Sequence, residues 1–326
     1  MNYNYKFEDY RNSRTKHICP SCHKKTFVFF IDSETKQSIH STVGKCDRAI
    51  KCAYQYTPFE YFQDNNISIA NRHSYKQGKE PVKQYSPSVI PVEILLRSLQ
   101  DYDQNNFISF LTNLFGNDIT TGLIEKYFIG TSKNWSCATL FWQIDIKCGI
   151  RAGKIVQFEI IPLNQSCIGL DCKRNKKKMP PIQWVHRITK LPDFELKQCL
   201  FGEHLLKDSS IPVAIVESEK TAIISSIYLP QFTWLATGGL SNLTIDMCRV
   251  LKDRTVTLFP DVNGFQKWNL KMKELSQLMP GTTFKISHLL EKNATDKERL
   301  AGCDLADYLI KFEPNLFNTN QHNLSV

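Results

Sequence analysis

The chain has 326 residues, 42% of them hydrophobic, and a formal net charge of +9 from 41 Lys+Arg against 32 Asp+Glu. This length predicts two or three domains, and the basic balance is compatible with a polyanionic partner. The sequence has no run of about 20 apolar residues, which argues against a membrane span, and its polar first residues lack a signal-peptide core, so we expect a cytoplasmic protein.

A cluster of cysteines lies in the first 62 residues and holds four of the 11 in the chain, namely Cys19, Cys22, Cys46 and Cys52. The first two form a CxxC pair, in which a two-residue gap lets both sulfurs reach one ion. The sequence between the pairs predicts a β-hairpin with strands at 26–32 and 38–44. We therefore predict a zinc ribbon at 1–62 with a structural Zn²⁺ held by the four cysteines. The alternatives are four free thiols, or a ligand set completed by His17, His23 or His40.

The next part of the sequence changes composition twice. Residues 63–91 are polar and contain three prolines, which predicts a linker. Three helical patterns follow between 92 and 128. Two β-rich runs between 138 and 161 then predict a hairpin around a glycine-containing turn. The segment 92–210 is therefore predicted to be a mixed α+β subdomain.

The basic residues of this middle segment are candidates for binding nucleic acid. Arg151 and Lys154 are predicted to lie in the turn of the hairpin. A basic run of five cations in six residues follows, made of Lys173, Arg174, Lys176, Lys177 and Lys178. Such a run is usually a solvated loop, but grouped cations also bind phosphates by releasing counterions.

From residue 211 onward, strands alternate regularly with helices. This order predicts a parallel sheet with helices on both faces at 211–326. Glu217 follows the first strand and Asp261 follows the third. Both therefore lie at carboxyl ends of strands, where the active sites of such sheets are found. The two acids are either separate helix N-caps or ligands of one metal ion.

Further polar residues lie next to these strand ends. Glu219 and Lys220 open the helix after the first strand. Lys220 either meets a phosphate at that helix N-terminus or pairs with a neighbouring acid. Asp304 and Asp307 are three residues apart and share one helix face. They either reinforce a metal site or cap their helix.

A zinc ribbon, a basic middle segment and an α/β unit with Glu before Asp resemble the layout of bacterial and phage primases. The catalytic unit of that family is the Toprim domain, in which a first strand ends in Glu and a third in an Asp-x-Asp motif that binds magnesium. Glu217 and Asp261 match the first acid of each motif. The phrases "IRAGKIVQFE", "WVHRI" and "VESEKTAIISS" also resemble primase-related proteins carried by bacterial mobile elements.

The resemblance implies an α/β protein with a Toprim-like sheet at 211–326, in which Glu217 and Asp261 bind Mg²⁺ or Mn²⁺. The chain departs from the family at Thr221, where primase-like domains often carry an acid. It also departs at Asn263, which replaces the second Asp of the motif but keeps an oxygen ligand. Beside such a site, the further candidate metal or nucleotide contacts are Asn263, Glu219, Lys220, Asp304 and Asp307.

The implied function is replication or mobilisation of DNA, by metal-dependent nucleotidyl transfer on a single-stranded DNA template. The implied partners are single-stranded DNA, nucleotides and a replicative helicase, with no membrane. Beside such an enzyme, phosphate contact is the favoured interpretation of the basic run. A Toprim nuclease and a non-catalytic DNA-binding protein are the alternatives. Thr221 and Asn263 favour the binding protein, whereas Glu217 and Asp261 favour the enzymes.

Overall fold

The computed structural model describes residues 5–9, 16–48, 52–65, 87–161, 169–172, 182–239 and 241–318. The chain divides into two compact units, residues 1–83 and 84–326, and the division falls inside the predicted linker. The basic run at 173–178 lies outside the described residues. Within the described part, no helix combines the length and apolar character needed to cross a membrane.

The first unit is a small antiparallel sheet followed by a short helix. Its elements are β1 (Tyr5–Phe7), β2 (His17–Ile18), β3 (Lys25–Asp32), β4 (Gly44–Cys46), β5 (Gln55–Tyr56) and α1 (Pro58–Asp64). The long strand β3 pairs with β1, β2 and β4, and β4 pairs with β5. The N-cap Thr57 and Glu60 form a capping box that starts α1.

The predicted second strand of this ribbon at 38–44 is wrong in its position. The continuous paired strand begins only at Gly44, and before it only Ser38 is paired, in an isolated bridge with Ile31. Glycine allows this pairing because a Cβ at that position would lie 2.3 Å from the carbonyl oxygen of Val28. The close approach of the two backbones, and not the apolar pattern, therefore decides where the strand starts.

The second unit opens with helices and an antiparallel sheet. Its helices are α2 (Val92–Leu96), α3 (Asn106–Phe115), α4 (Asn117–Tyr127) and α5 (Val185–Ile188). Its strands are β6 (Gly130–Thr131), β7 (Ala138–Ile144), β8 (Ile150–Ile161), β9 (Gly169–Cys172) and β10 (Ile182–Trp184). The strand order is β10-β8-β7-β6, with β9 also paired to β8. The buried Asn105 caps α3 and accepts a hydrogen bond from Thr139 of β7, which fixes the helix on the sheet.

The hairpin between β7 and β8 places two predicted residues differently from the sequence analysis. Its turn is closed by Asp145, whose carboxylate accepts hydrogen bonds from the backbone amides of Lys147 and Gly149. Arg151 and Lys154 lie beyond this turn, within β8. Their predicted position in the turn is therefore wrong, because the chain reverses earlier than the glycine pattern suggested.

The rest of the second unit is a four-stranded parallel sheet in the order β12-β11-β13-β14. Its strands are β11 (Val213–Val216), β12 (Thr233–Ala236), β13 (Thr255–Leu258) and β14 (Thr283–Ile286). Its helices are α6 (Glu219–Tyr228), α7 (Ile245–Cys248), α8 (Phe265–Leu278), α9 (Leu289–Asn293), α10 (Asp296–Ala301), α11 (Leu305–Leu309) and α12 (Asn315–Asn318). The predicted α/β fold class, with a zinc ribbon, a mixed middle segment and this parallel sheet, is confirmed.

Helices cover both faces of the parallel sheet. On one face, Ala214 and Val216 pack with residues of α6 and α11. On the other face, Val213 and Ile215 pack with residues of α8, including Trp268. Strands buried on both sides read as continuous apolar runs, which is why the sequence revealed them. The first core also contains Phe141 and other residues of the antiparallel sheet, so the two sheets share it.

Candidate functional site

The four cysteines of the first unit come together in one cluster. Two belong to the turn between β2 and β3, one ends β4, and one follows in the next turn. Their sulfur atoms all lie within 4.8 Å of one another. The Sγ atoms of Cys19 and Cys52 are 3.7 Å apart, and those of Cys22 and Cys46 are 3.9 Å apart. A tetrahedral ion with Zn–S bonds of about 2.3 Å needs sulfurs about 3.8 Å apart, so the cluster fits zinc.

Backbone amides prepare two of these cysteines to act as thiolates. A hydrogen bond from the backbone of Lys24 lowers the pKa of the Cys22 thiol to about 6. A hydrogen bond from the backbone of Tyr54 likewise lowers the pKa of Cys52. Burial raises the pKa of Cys19 to about 11, a cost that a bound cation would offset. Structural zinc is thus supported by geometry and by the chemistry of the donors.

Glu217 and Asp261 lie at the same edge of the parallel sheet. The strands that precede them, β11 and β13, are direct parallel neighbours, with Ile215 opposite Leu258. Glu217 comes two residues after Ile215, and Asp261 comes three residues after Leu258. The chain leaves β11 toward β12 on one side and reaches β13 on the other, which makes this edge a topological switch point. Crevices at such points are the usual ligand sites of parallel sheets.

Asp261 has a buried carboxylate oxygen at this edge, in surroundings that disfavour its negative charge. Its Oδ1 atom is buried and has no hydrogen-bond partner among the described residues. Burial, together with the negative charges of Asp304 and Glu217, raises the pKa of Asp261 well above its ordinary value. A buried carboxylate that is destabilised by neighbouring negative charges favours a proton or a cation beside it. The edge therefore has the charge and the open ligand atom that a divalent cation requires.

Asp304 and Asp307 are engaged with α6. Asp304 is the N-cap of α11, and its carboxylate accepts a hydrogen bond from the Thr221 hydroxyl at 2.7 Å. The Lys220 ammonium lies 3.0 Å from Asp304 and 3.2 Å from Asp307. Burial lowers the pKa of Lys220, but the two carboxylates outweigh it and raise that pKa above its usual range. Burial raises the pKa of Asp304 in turn, yet Lys220 holds it below its ordinary value.

Glu219 forms a buried ion pair with Lys154. The Lys154 ammonium lies 3.0 Å and 2.8 Å from the two carboxylate oxygens, and it also donates to the carbonyl oxygen of Gly238 at 3.2 Å. Gly238 has a φ of 75°, which favours glycine there. The pair therefore joins β8 of the antiparallel sheet to the first turn of α6.

The other predicted site residues have separate surroundings. Asn263 is exposed and has a φ of 69°, and its side-chain amide donates to the carbonyl oxygen of Arg299 at 2.8 Å. Arg151 donates to Asp145 at 2.6 Å and to the carbonyl oxygens of Pro87 and Ser88. Both cations of β8 are thus bound within the protein, and their role in nucleic-acid binding stays a prediction.

The structure also reveals contacts that the sequence did not predict. Lys154 and Glu219 are 65 residues apart, and Lys220 and Asp307 are 87 apart, so neither pairing has a local signal. Among the described residues, the four cysteines form the sole set of three or more metal-ligand side chains within 4.8 Å. A divalent ion at the sheet edge would therefore have to take most of its ligands from water or phosphate, as Mg²⁺ commonly does.

Comparison with known proteins gives two matching family models. Residues 3–67 match a zinc beta-ribbon finger, which confirms the zinc ribbon predicted from the cysteines. Residues 105–262 match a domain of unknown function, DUF6371, which covers the antiparallel sheet and the parallel strands as far as Asp261. No curated protein matches the chain.

Several solved structures of primases are similar to the chain at low identity. The primase fragment of the bacteriophage T7 primase-helicase protein is 14% identical, with a TM-score of 0.37 over 88% of this chain and 98% of that one. The RNA polymerase domain of Mycobacterium tuberculosis primase DnaG is 11% identical, with a TM-score of 0.44 over 70% and 80%. The zinc-binding and RNA polymerase domains of Aquifex aeolicus primase are 12% identical, with a TM-score of 0.34 over 95% and 82%.

Proposed function

We propose that this chain is a primase-type protein that binds single-stranded DNA and catalyses metal-dependent nucleotidyl transfer on it. One observation carries the proposal. Glu217 and Asp261 follow neighbouring parallel strands at the switch point of the sheet, and Asp261 has a buried oxygen without a hydrogen-bond partner among the described residues. Helix caps alone explain neither the matched placement nor the buried oxygen.

In this proposal, Glu217 and Asp261 hold one Mg²⁺ or Mn²⁺ ion at the sheet edge. Such an ion would neutralise charge on the nucleotide phosphates and would help to orient the attacking oxygen. Few protein ligands are needed, because water and phosphate oxygens complete the coordination of Mg²⁺. The sheet edge supplies two carboxylates from rigid strand ends, which fixes where the phosphates lie.

The remaining predicted parts serve DNA binding in this proposal. The zinc ribbon engages the single-stranded template, and the basic run at 173–178 contacts phosphates. The net charge of +9 favours such contacts over the whole protein. A replicative helicase is the proposed protein partner, since primers are needed where strands are separated.

A second candidate is a DNA-binding protein without catalysis. The observation that favours it is that Thr221 and Asn263, which are both neutral, form hydrogen bonds within the protein. The Thr221 hydroxyl donates to Asp304, and the Asn263 amide donates to the backbone of Arg299. Neither therefore supplies the negative charge that an aspartate would add to the metal site. A Toprim nuclease, which would use the same ion to hydrolyse a phosphodiester, is the third candidate.

The three candidates differ in their products, so one experiment separates them. Full-length protein is incubated with single-stranded DNA and labelled nucleotides, with Mg²⁺, with Mn²⁺ or with chelator. We expect a nucleotide-containing product that requires the ion and is lost in Glu217→Gln and in Asp261→Asn. Glu125→Gln, which changes an exposed carboxylate on α4, is the matched control and should keep the activity.

The other outcomes each point to one alternative. Cleavage of the DNA without nucleotides identifies a nuclease. A salt-dependent gel shift with no product under any condition contradicts the transferase proposal and identifies a binding protein. In that case, activity gained by the double variant Thr221→Asp/Asn263→Asp would show that the two neutral residues account for the loss.

A further inference from the structure

The Lys220 side chain is a buried cation in the middle of the acidic edge. Only 13% of it is exposed, and its ammonium lies between Asp304 and Asp307, which are 11% and 16% exposed. It comes from the first turn of α6, three residues after Glu217. The charge of Lys220 also acts on Asp261 and lowers its pKa, against the effect of the neighbouring acids. A lysine in this position is therefore part of the charge balance of the whole edge.

The carboxylates of the edge differ in how many of their oxygens accept a hydrogen bond or an ion pair. Both oxygens of Asp304 are used, since Oδ1 accepts from the Asp307 amide and Oδ2 accepts from Thr221 and Lys220. Both oxygens of Asp307 are used as well, since Oδ2 accepts from the Asp304 amide and Oδ1 from Lys220. Asp261, by contrast, keeps the buried Oδ1 without a partner among the described residues. At this edge, the carboxylate oxygens of Asp304 and Asp307 are therefore occupied, whereas Asp261 has an oxygen that can accept an ion.

We propose that Lys220 is a resident cation that takes the place of a second divalent ion, so that this chain binds a single ion, at Glu217 and Asp261. The inference rests on the metal site of the proposed function and specifies its ion count. Two-metal sites hold their ions about 3.5–4 Å apart between shared carboxylates. An ammonium within 3.2 Å of both Asp304 and Asp307 takes up the oxygens that a second ion would need.

The neutral residues of the edge agree with this arrangement. An ammonium carries one positive charge, whereas a divalent ion carries two, so fewer carboxylates balance it. Thr221 donates to Asp304, and a carboxylate in its place would meet the Asp304 carboxylate without a proton to share. A neutral donor such as Thr221 next to Asp304 therefore fits an edge in which Lys220 takes the position of the second ion.

The competing explanation is that Lys220 is only a structural ion pair between α6 and α11. Both explanations predict a loss of stability when Lys220 is replaced. Only the resident-cation proposal predicts a gain of one bound ion, because it places the Lys220 ammonium in the position of a second divalent ion between Asp304 and Asp307. The number of ions is therefore the decisive measurement.

The test counts Mn²⁺ ions bound by the full-length, zinc-loaded protein, by isothermal titration calorimetry and by electron paramagnetic resonance of free Mn²⁺. We expect one Mn²⁺ per chain in the wild type and two in Lys220→Met and in Lys220→Gln. Lys220→Arg keeps the positive charge and should bind one. Lys271→Met removes a lysine from the surface pair with Glu274 and should also bind one. Circular dichroism establishes that each variant is folded, and the glutamine variant, which is polar but carries no charge, serves if the methionine variant unfolds.

Each result supports or overturns the inference. Two ions in the wild type, or a single ion in folded Lys220→Met and Lys220→Gln, overturns the role of Lys220 but leaves the metal site of the proposed function intact. No ion in the wild type overturns that metal site itself, and with it the inference that rests on it.

Discussion

The ion pair between Lys154 and Glu219 links the two sheets of the second unit through single side chains. Lys154 is 7% exposed and Glu219 is 3% exposed, so both charges are removed from water. The pair is close and bidentate, and the carbonyl of Gly238 accepts a further hydrogen bond. Glu219 also begins α6, where a negative charge interacts favourably with the helix dipole. Since Glu219 is two residues from Glu217, this pair helps to fix the candidate metal site.

We expect Lys154→Met to destabilise the second unit by about 3–5 kcal/mol, because it leaves the Glu219 charge buried without its partner. The double variant Lys154→Met/Glu219→Met should recover much of this loss, since no charge is then buried. All five tryptophans lie in residues 84–326, so urea unfolding followed by tryptophan fluorescence reports on this unit alone. Lys271→Met in an exposed pair is the control and should change stability by less than about 1 kcal/mol. Equal losses in the single and double variants would contradict this account.

At the scale of elements, the zinc ribbon has too small a core to hold its strands without help. The buried cluster around the cysteines consists of Cys19, Phe27 and Cys46 with a few half-buried neighbours, and beyond it only a few other apolar side chains, such as Val28, Ile31 and Val43, are buried among the described residues. Cys19 and Cys46 are proposed zinc ligands, so the bound metal would lie within this buried cluster and contribute to its stability. Small domains with so little apolar burial commonly depend on a metal to fold. The strands β3 and β4 are therefore expected to depend on zinc for their pairing.

Loss of a single zinc ligand should unfold the ribbon alone. We expect Cys46→Ser to reduce the zinc content from about one ion per chain to near zero and to remove hydrogen-exchange protection from β3 and β4. The tryptophan fluorescence of the second unit should not change. Cys148→Ser replaces an exposed cysteine outside the cluster and should keep the zinc. Zinc retained by Cys46→Ser, with protected strands, would rule out the four-cysteine site.

The elements that the sequence predicted well are those whose pattern is local. The strands and helices after 211 were visible because each buried strand is a short apolar run and each helix begins after a polar turn. The placement of Glu217 and Asp261 followed from that order. The start of β4 at Gly44 was missed because it depends on contact with Val28, and the Lys154–Glu219 pair was missed because it depends on how two sheets meet. Contacts between distant segments produce no periodic pattern in the local sequence, so they cannot be predicted from it.

At the scale of the whole molecule, the positive charge is unevenly placed. Five of the 41 Lys+Arg residues fall in the six residues from 173 to 178. Many other cations of the described part are bound within the protein, as Lys154, Lys220 and Arg151 are. Cations that already pair with internal carboxylates release few counterions when DNA binds. The basic run is therefore the strongest candidate for the electrostatic part of the proposed DNA binding.

Replacing the five cations of the basic run by serine or glutamine should weaken single-strand binding and flatten its dependence on salt. Each phosphate contact on a single strand contributes a slope of about 0.7 in log Kd against log salt, so the loss of all five would reduce the slope by up to about 3.5. The matched control replaces five exposed cations of the second unit, Arg249, Lys252, Lys273, Lys292 and Lys297, and lowers the net charge equally. Fluorescence anisotropy with labelled DNA over a range of salt concentrations measures the affinity and the salt dependence of the two variants. An equal change of slope in the two variants would mean that net charge alone drives binding, whereas an unchanged slope in the first would exclude the basic run from the DNA interface.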